Sequence, residues 1–533
     1  MSTWFIVLSV IAAIAVIMAM FARYSHAVMM MQQNSYRIDR FQRWANTANE
    51  STSMPFLLGL VVIFACLATF MRPASGLIVM VMYGVYISGT LIGKKYKKPL
   101  VWTPRVRRIY SVMLALSVVG LAGAFALTYC QSGAEAGIYY TLWAAVVLLC
   151  NSRFVVIAAV WLLKPVEKRI NQKFYDEAAA ILRSMPELKV VGITGSYGKT
   201  STKHYLQRIL SEHFETLMTP GSFNTTLGVI RTVREMMKPY CEVFICEMGA
   251  KQQGDIKEIC DLVHPTMGIV TAVGPQHLES FKSIENVQKT KFELVDALPA
   301  DGLAVVNDDF EYIANRPVDN VECVRYGVKD DAAGYRAVDI SYDRNGAEFT
   351  VVGPDTNLRL RTRLVGECNV SNLIAAVVVA LRLGVPEEKI RRAVERIEPV
   401  EHRLSMKRTP GGVTIIDDAF NSNPSGSAMA LDVLAAMTPG KRIIITPGMI
   451  ELGEKQYELN FEFGQHIARS ADVAIVVGEY NRAAIVEGIA SQPAPKAEVI
   501  EAATFAEAQQ RLATIVSSGD TVLYENDLPD TFK

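Results

Sequence analysis

The chain has 533 residues, room for about three domains of ordinary size. Its 54 basic and 54 acidic residues balance, which removes the basic excess that a general nucleic-acid binder carries. Eight cysteines include no CxxC pair. A zinc site built on close thiol pairs is therefore not expected, and scattered thiols suit a reducing compartment.

Half of the residues are apolar, at the upper edge of the soluble range, and the excess lies before residue 164. Residues 3–22 carry no charge, and no Lys or Arg precedes them, so a signal peptide fits poorly. Further apolar runs cover 54–71, 73–93, 109–130 and 136–152, each near the roughly 20 residues that a spanning helix needs. After Arg153 a second apolar stretch reaches Leu163. It reads as an interfacial helix following the last span, with one long tilted helix as the alternative.

Charge sets the orientation. Lys94, Lys95, Lys97, Lys98, Arg105, Arg107 and Arg108 crowd the segment 94–108, and Arg23, Arg37, Arg40 and Arg43 lie in 23–53. Five spans with the N-terminus outside place both segments, and everything after Lys164, in the cytoplasm. Orientation alone accounts for these loops; the second reading is contact with an anionic, lipid-linked substrate. The spans hold almost no ionisable residues, which favours an anchor or lipid-facing platform over a pump.

Residues 164–187 read as a helical connector, after which strands and helices alternate. Apolar runs at 188–193, 242–247, 267–273 and 302–306 look like buried parallel strands. A β-rich stretch covers about 320–365, a helix 370–383, and a second α/β unit begins near 401 with strands at 412–417, 441–447, 472–478 and 520–524.

The first of these strands runs into Thr194-Gly195-Ser196-Tyr197-Gly198-Lys199-Thr200-Ser201. Glycines let the backbone turn tightly and aim its N–H groups at phosphate, and the helix that follows adds its positive end. Lys199 can reach the β- and γ-phosphates and the Thr200 hydroxyl can hold Mg²⁺. The spacing is the shorter TGxxGKT form, because Ile193 stands where the longer motif has its first glycine.

TGSYGKTST resembles the ATP loop of the Mur ligase family, and further motifs follow in that family's order over about residues 188–525. FNTTLGV from Phe223 and EMGAKQQGDI from Glu247 are similar to the branch that adds D-alanyl-D-alanine to a UDP-linked muropeptide, as are DDAFNSNPSG and PGMIELGE at 447–454. The resemblance implies Mg²⁺ ligation by Glu247 and His277, and carbamylation of Lys291 by CO₂, which turns a repelling ammonium into an anionic ligand. It implies adenine contact at Asn369, after VNDD at 306–309, with Cys368 where a histidine is common. It also implies a γ-phosphate arginine at Arg403, and Asp418, Asn421 and Asn423 near the nucleotide and the domain cleft, with Phe420 in place of the common tyrosine. The expected nucleotide contacts are Thr194, Gly195, Ser196, Gly198, Lys199, Thr200, Ser201, Asn369, Arg403, Asp418 and Asn421. The expected metal ligands are Thr200, Glu247, His277 and Lys291.

The expected fold class is an α-helical transmembrane region (1–163) and a connector (164–187), followed by two α/β domains: a P-loop ATP-binding central domain (188–400) and a Rossmann-like C-terminal domain (401–533). The resemblance implies a ligase using ATP and two Mg²⁺ ions. It activates an acceptor carboxylate as an acyl phosphate and joins it to an amino-acid or dipeptide amine in cell-wall precursor synthesis. Its expected place is the bacterial cell membrane, multi-pass, with cytoplasmic catalytic domains; nucleic acid is not an expected partner. Two regions depart from the family. Only about 24 residues separate the membrane segment from the ATP domain, too few for the family's UDP-sugar domain. YENDLPDTFK also lacks the family's usual basic, small-residue ending. Three readings follow: a ligase for a membrane-associated or lipid-linked acceptor, the UDP-linked reaction with an anchor added, or an ATP-dependent transporter or regulator.

Overall fold

The computed structural model describes residues 2–47, 72–94, 96, 98–276, 278–330, 332–343, 346–419 and 422–527. They form two compact units, divided between Gln172 and Lys173.

In the first unit three helices are long and apolar enough to cross a membrane: Thr3–Gln33, Pro73–Ile92 and Pro104–Cys150. The expected run 54–71 lies outside the described residues. The third helix is interrupted at Gly133, whose φ of 81° and ψ of −177° are not helical. Gly120 and Leu148 then come within side-chain contact, whereas a straight helix would hold them roughly 40 Å apart. The chain reverses at Gly133, so the runs 109–130 and 136–152 are two antiparallel arms. Two expectations change here. The interfacial stretch and most of the connector form one helix, Ser152–Arg183, which continues through Pro165. The basic segment 23–53 is also largely helical, since the first helix runs on to Gln33 and a short amphipathic helix, Ile38–Thr47, buries Phe41 and Trp44.

Side-chain amides join the end of the first helix to the second basic segment. Gln32 pairs with both backbone groups of Val101, at 3.0 and 3.1 Å, and Gln33 donates to Lys98 O at 2.9 Å. The end of the first helix and residues 98–101 of the second basic segment thus lie together. Glu167 gathers two of their arginines, Arg108 at 2.7 Å and Arg105 at 3.6 Å.

The second unit holds two sheets. The larger contains β1 (Lys189–Thr194), β2 (Thr216–Met218), β3 (Val243–Glu247), β4 (Met267–Val270), β5 (Leu303–Asn307), β6 (Glu322–Gly327), β7 (Tyr335–Asp343), β8 (Gly346–Gly353) and β9 (Thr356–Thr362), in the order β2-β3-β1-β4-β5-β6-β7-β8-β9. Pairing is parallel from β2 to β7. The β-rich stretch becomes the antiparallel extension β7-β8-β9. Strands β1, β3 and β5 are apolar runs because helices cover both faces of the parallel part. Helix Glu367–Arg382 belongs to the core on one face and helix Ile284–Asp296 to that on the other.

The smaller sheet comprises β10 (Ser405–Arg408), β11 (Thr414–Asp418), β12 (Arg442–Thr446), β13 (Val473–Val477), β14 (Glu498–Ala502) and β15 (Thr521–Glu525), in the order β10-β11-β15-β12-β13-β14. All pairs are parallel except β10-β11. Ligands of such sheets bind at the carboxyl ends of the strands, and there the chemistry-bearing residues gather.

Candidate active site

The loop after β1 is shaped by two glycines. Gly195 has φ +149°, and a Cβ there would stand 2.2 Å from Thr271 Oγ1. Gly198 opens helix Lys199–Leu210 at φ +78°, where a Cβ would meet Asn372 Oδ1 at 2.3 Å. The loop is pinned from beneath. Thr194 Oγ1 donates to Met248 O at 2.9 Å, Ser196 N donates to Ala272 O at 2.7 Å, and Thr271 Oγ1 donates to the Thr194 and Tyr197 carbonyls. Ser201 is buried in the first helical turn. Neighbouring strands thus hold the loop backbone in place.

Lys199 folds back so that Nζ donates to the carbonyls of Gly195 and Ser196. Enclosure lowers its ammonium to about 8; Glu247 pulls the other way and Arg403 adds to the fall. A cation held by neutral carbonyls keeps its charge available for a phosphate.

Glu247 ends β3 beside the loop and is buried. Oε1 accepts from Thr200 Oγ1 at 3.2 Å and from Asn224 Nδ2 at 3.1 Å. Oε2 faces Lys203 Nζ at 3.0 Å, off the line of a hydrogen bond, and both side chains are almost wholly enclosed. Burial opposes ionisation of Glu247, but Lys203 and Lys199 outweigh it and its carboxyl lies below the usual range. A carboxylate and a hydroxyl side by side are hard oxygen donors, which suit Mg²⁺. That ion commonly takes one or two protein oxygens and completes its shell with phosphate and water. Among the described residues no group of three or more His, Cys, Asp or Glu could hold a metal by itself.

Lys291, on helix Ile284–Asp296, is buried, with Nζ 6.0 Å from the centre of the Phe281 ring. Burial drives its ammonium well below the usual lysine range; Lys199 adds to this, while Asp255 and Glu293 oppose it. The neutral amine, which this shift favours, is the form that reacts with CO₂. His277, Phe420 and Asn421 lie outside the described residues. Asn369 is buried and not at the helix N-cap, which is Gly366. Its Oδ1 accepts from Tyr205 OH at 2.7 Å and its Nδ2 donates to Val365 O at 2.8 Å.

From the smaller sheet, Arg403 acts electrostatically on Lys199, and Glu247 and Asp418 act on Arg403. The loop, Glu247 and Arg403 are thereby brought together. Asp418, at the end of β11, accepts from Leu404 N at 3.0 Å. Burial raises its carboxyl to about 6; the Leu404 N–H and Arg403 pull it down, and Asp417 pushes it up. The side chain of Asn423 caps helix Pro424–Ala435 through Gly426 N at 2.8 Å.

Two residues that hold Glu247 escape a reading for phosphate chemistry. Lys203 stands one helical turn after Lys199, a spacing that puts both on one face, and Asn224 sits inside FNTTLGV. Their role depends on a strand distant in sequence.

A phosphate loop, a carboxylate at the neighbouring strand end and an arginine from a second α/β domain together define an ATP-dependent enzyme of two-domain α/β build. Residues 193–380 match the Mur ligase middle domain, and residues 402–524 match the glutamate ligase domain of Mur ligases. The chain belongs to the Mur ligase family and is an ATP-dependent amide ligase. It is similar to UDP-N-acetylmuramoyl-tripeptide–D-alanyl-D-alanine ligase of Escherichia coli, 29% identical over 349 residues, covering 65% of this chain and 77% of that one. The ligase of that name from Mycobacterium bovis is 35% identical over 255 residues, covering 46% and 49%. The chain spans 60% of the Bacillus subtilis relative, so coverage of these proteins runs from about half to three quarters. Among solved structures, MurF from Acinetobacter baumannii superposes with a TM-score of 0.61 at 26% identity, covering 67% of this chain and 77% of that one.

Proposed function

We propose that this ligase joins an amino-acid or dipeptide amine, of the D-alanyl-D-alanine type, to the carboxylate of a membrane-associated or lipid-linked cell-wall precursor. The observation that carries the reading is the chain between the apolar helices and the ATP domain. It is occupied by one helix, Ser152–Arg183, and no sugar-binding domain stands there. The relatives' names specify a UDP-linked tripeptide; an enzyme built into a bacterial membrane, with cytoplasmic catalytic domains, gains its acceptor from the bilayer instead.

The chemistry follows from the site. The loop N–H groups, Lys199 and Arg403 bind the transferred phosphoryl group of ATP and offset its charge. Two Mg²⁺ ions, held through Thr200, Glu247, His277 and carbamylated Lys291, would supply further charge neutralisation. The acceptor carboxylate attacks the γ-phosphorus, ADP leaves, and an acyl phosphate results. The amine then attacks the acyl carbon, the carbon–nitrogen bond forms and phosphate departs. Asp418, Asn421 and Asn369 bound the nucleotide. Shielding by Arg403 and its domain keeps water from the acyl phosphate.

The test compares kcat/KM of the full-length protein in lipid bilayers for a lipid-linked carboxylate acceptor and for the matching UDP-linked one. The lipid-linked acceptor is expected to be preferred. Preference for the UDP-linked acceptor would leave the helices as an anchor and return the reading to the reaction named for the relatives.

A further inference from the structure

The end of β15 makes contacts that the ligase chemistry above leaves unused. Glu525 closes the strand and is fully enclosed. Its Oε1 accepts from Ser422 Oγ at 2.7 Å and from Ser427 Oγ at 2.9 Å, and the two hydroxyls lie 2.6 Å apart. Its Oε2 is buried and meets no hydrogen-bond partner among the described residues. Asn526 follows at φ +68°; its N–H donates to Asp418 O at 3.3 Å and its Nδ2 to Gly448 O at 2.6 Å. One strand end thus bonds to Asp418, Ser422, Gly448 and the first turn of helix Pro424–Ala435. These lie in or beside the motifs DDAFNSNPSG and PGMIELGE.

A carboxylate in this place has no charge to meet. Among the described residues no Lys, Arg or His lies at ion-pair distance from Glu525. The charged group acting on it is Asp418, beyond which stand Asp417 and Arg403. A buried anion without a cation is disfavoured, and such a group favours its protonated form. In accord, burial and Asp418 push Glu525 well above the usual carboxylate range, against the two serines.

We propose that Glu525 is a positioning residue: as an uncharged acid bonded to Ser422 and Ser427 it holds Ser422 and the first turn of helix Pro424–Ala435 in place and thereby positions Asp418 for the nucleotide. This rests on the reading of Asp418 as a nucleotide contact.

The experiment measures ADP affinity of the full-length protein at neutral pH, with thermal unfolding alongside. Ligation is not needed, so the outcome does not depend on the acceptor. Glu525→Gln is an uncharged side chain of the same shape that keeps an acceptor oxygen, and it is expected to bind ADP like the parent. Glu525→Ala removes the acceptor, and Ser422→Ala with Ser427→Ala removes the clamp from the other side; in each, ADP affinity should weaken about tenfold, the worth of one or two hydrogen bonds. Unchanged affinity in Glu525→Ala or in the double serine variant overturns the proposal. Asp418→Asn separates the two readings. If it leaves ADP binding intact, the nucleotide assignment has failed; if it weakens binding while Glu525→Ala and the double serine variant behave as the parent, the clamp has failed.

Discussion

The two units hold the positive charge of their central clusters in different ways. In the membrane unit the half-buried Arg105 and Arg108 are paired internally, converging on Glu167. At the phosphate loop Lys199 is held by backbone carbonyls that do not neutralise it, and burial drives the ammonium of Lys291 well below the usual lysine range. Lys203 is the exception there, paired with Glu247. A quenched charge organises its own helices; an unquenched one is held ready for an anion or for reaction. The comparison assigns the arginines at the start of helix Pro104–Cys150 to assembly and the loop lysine to chemistry.

The largest expected effect is therefore at the loop. Lys199→Ala should lower ligation by about a hundredfold or more, the scale for loss of one preorganised donor at a phosphoryl centre. Single-turnover ADP formation by purified protein checks it. A rate near that of the parent would mean that the unquenched lysine is not used.

Lys291→Ala should come next. Small carboxylic acids such as acetate should restore part of its activity, because they bring back the anionic oxygens of the lost carbamate. Removing CO₂ from the parent enzyme should mimic the substitution. A well-folded Lys291→Ala variant with full activity would end the carbamate assignment.

Lys203→Met breaks the quenched pair beside the phosphate loop. Removal of one partner leaves Glu247 as an uncompensated buried charge, worth about 3 to 5 kcal/mol of destabilisation. Thermal and denaturant unfolding measure this. Divalent cations should restore part of the stability, since they supply the charge that Lys203 no longer does. An unfolding midpoint equal to the parent's, with no response to Mg²⁺, would show that Glu247 does not depend on Lys203.

How far the sequence reveals such pairs depends on their separation along the chain. The phosphate loop is legible because strand, turn, Lys-Thr and helix are contiguous. The parallel strands are legible because burial on both faces makes them continuous apolar runs. Strands β2, β10 and β14 are missed: β2 has three residues, and β10 and β14 are edge strands with exposed positions that break the pattern. The reversal at Gly133 is marked only by a lapse in hydropathy. Glu167 lies 59 residues beyond Arg108 and Glu525 lies 103 beyond Ser422, so neither pairing can be inferred without the fold. For the same reason the second reading of the basic loops, contact with an anionic substrate, does not reveal that Arg37, Arg43, Arg105 and Arg108 already have carboxylate partners.

The smallest effect on turnover is expected at the pairing of Arg105 and Arg108 with Glu167. Glu167→Gln keeps the side-chain volume and removes the charge that Arg105 and Arg108 share. If the comparison holds, the loss falls on the assembly of the membrane unit. The thermal midpoint in detergent should drop, while ATP-dependent ligation of a water-soluble acceptor stays within about twofold of the parent, as for substitutions away from reacting groups. Arg107→Gln provides the baseline, since Arg107 is exposed on the same helical turn. It should change neither quantity. Freed from Glu167, Arg105 and Arg108 become cations of the second basic segment, so any gain for Glu167→Gln should be confined to a lipid-linked, anionic acceptor. A fall in turnover on the water-soluble acceptor comparable to that of Lys199→Ala would place these arginines in the chemistry and dissolve the distinction between the two kinds of charge.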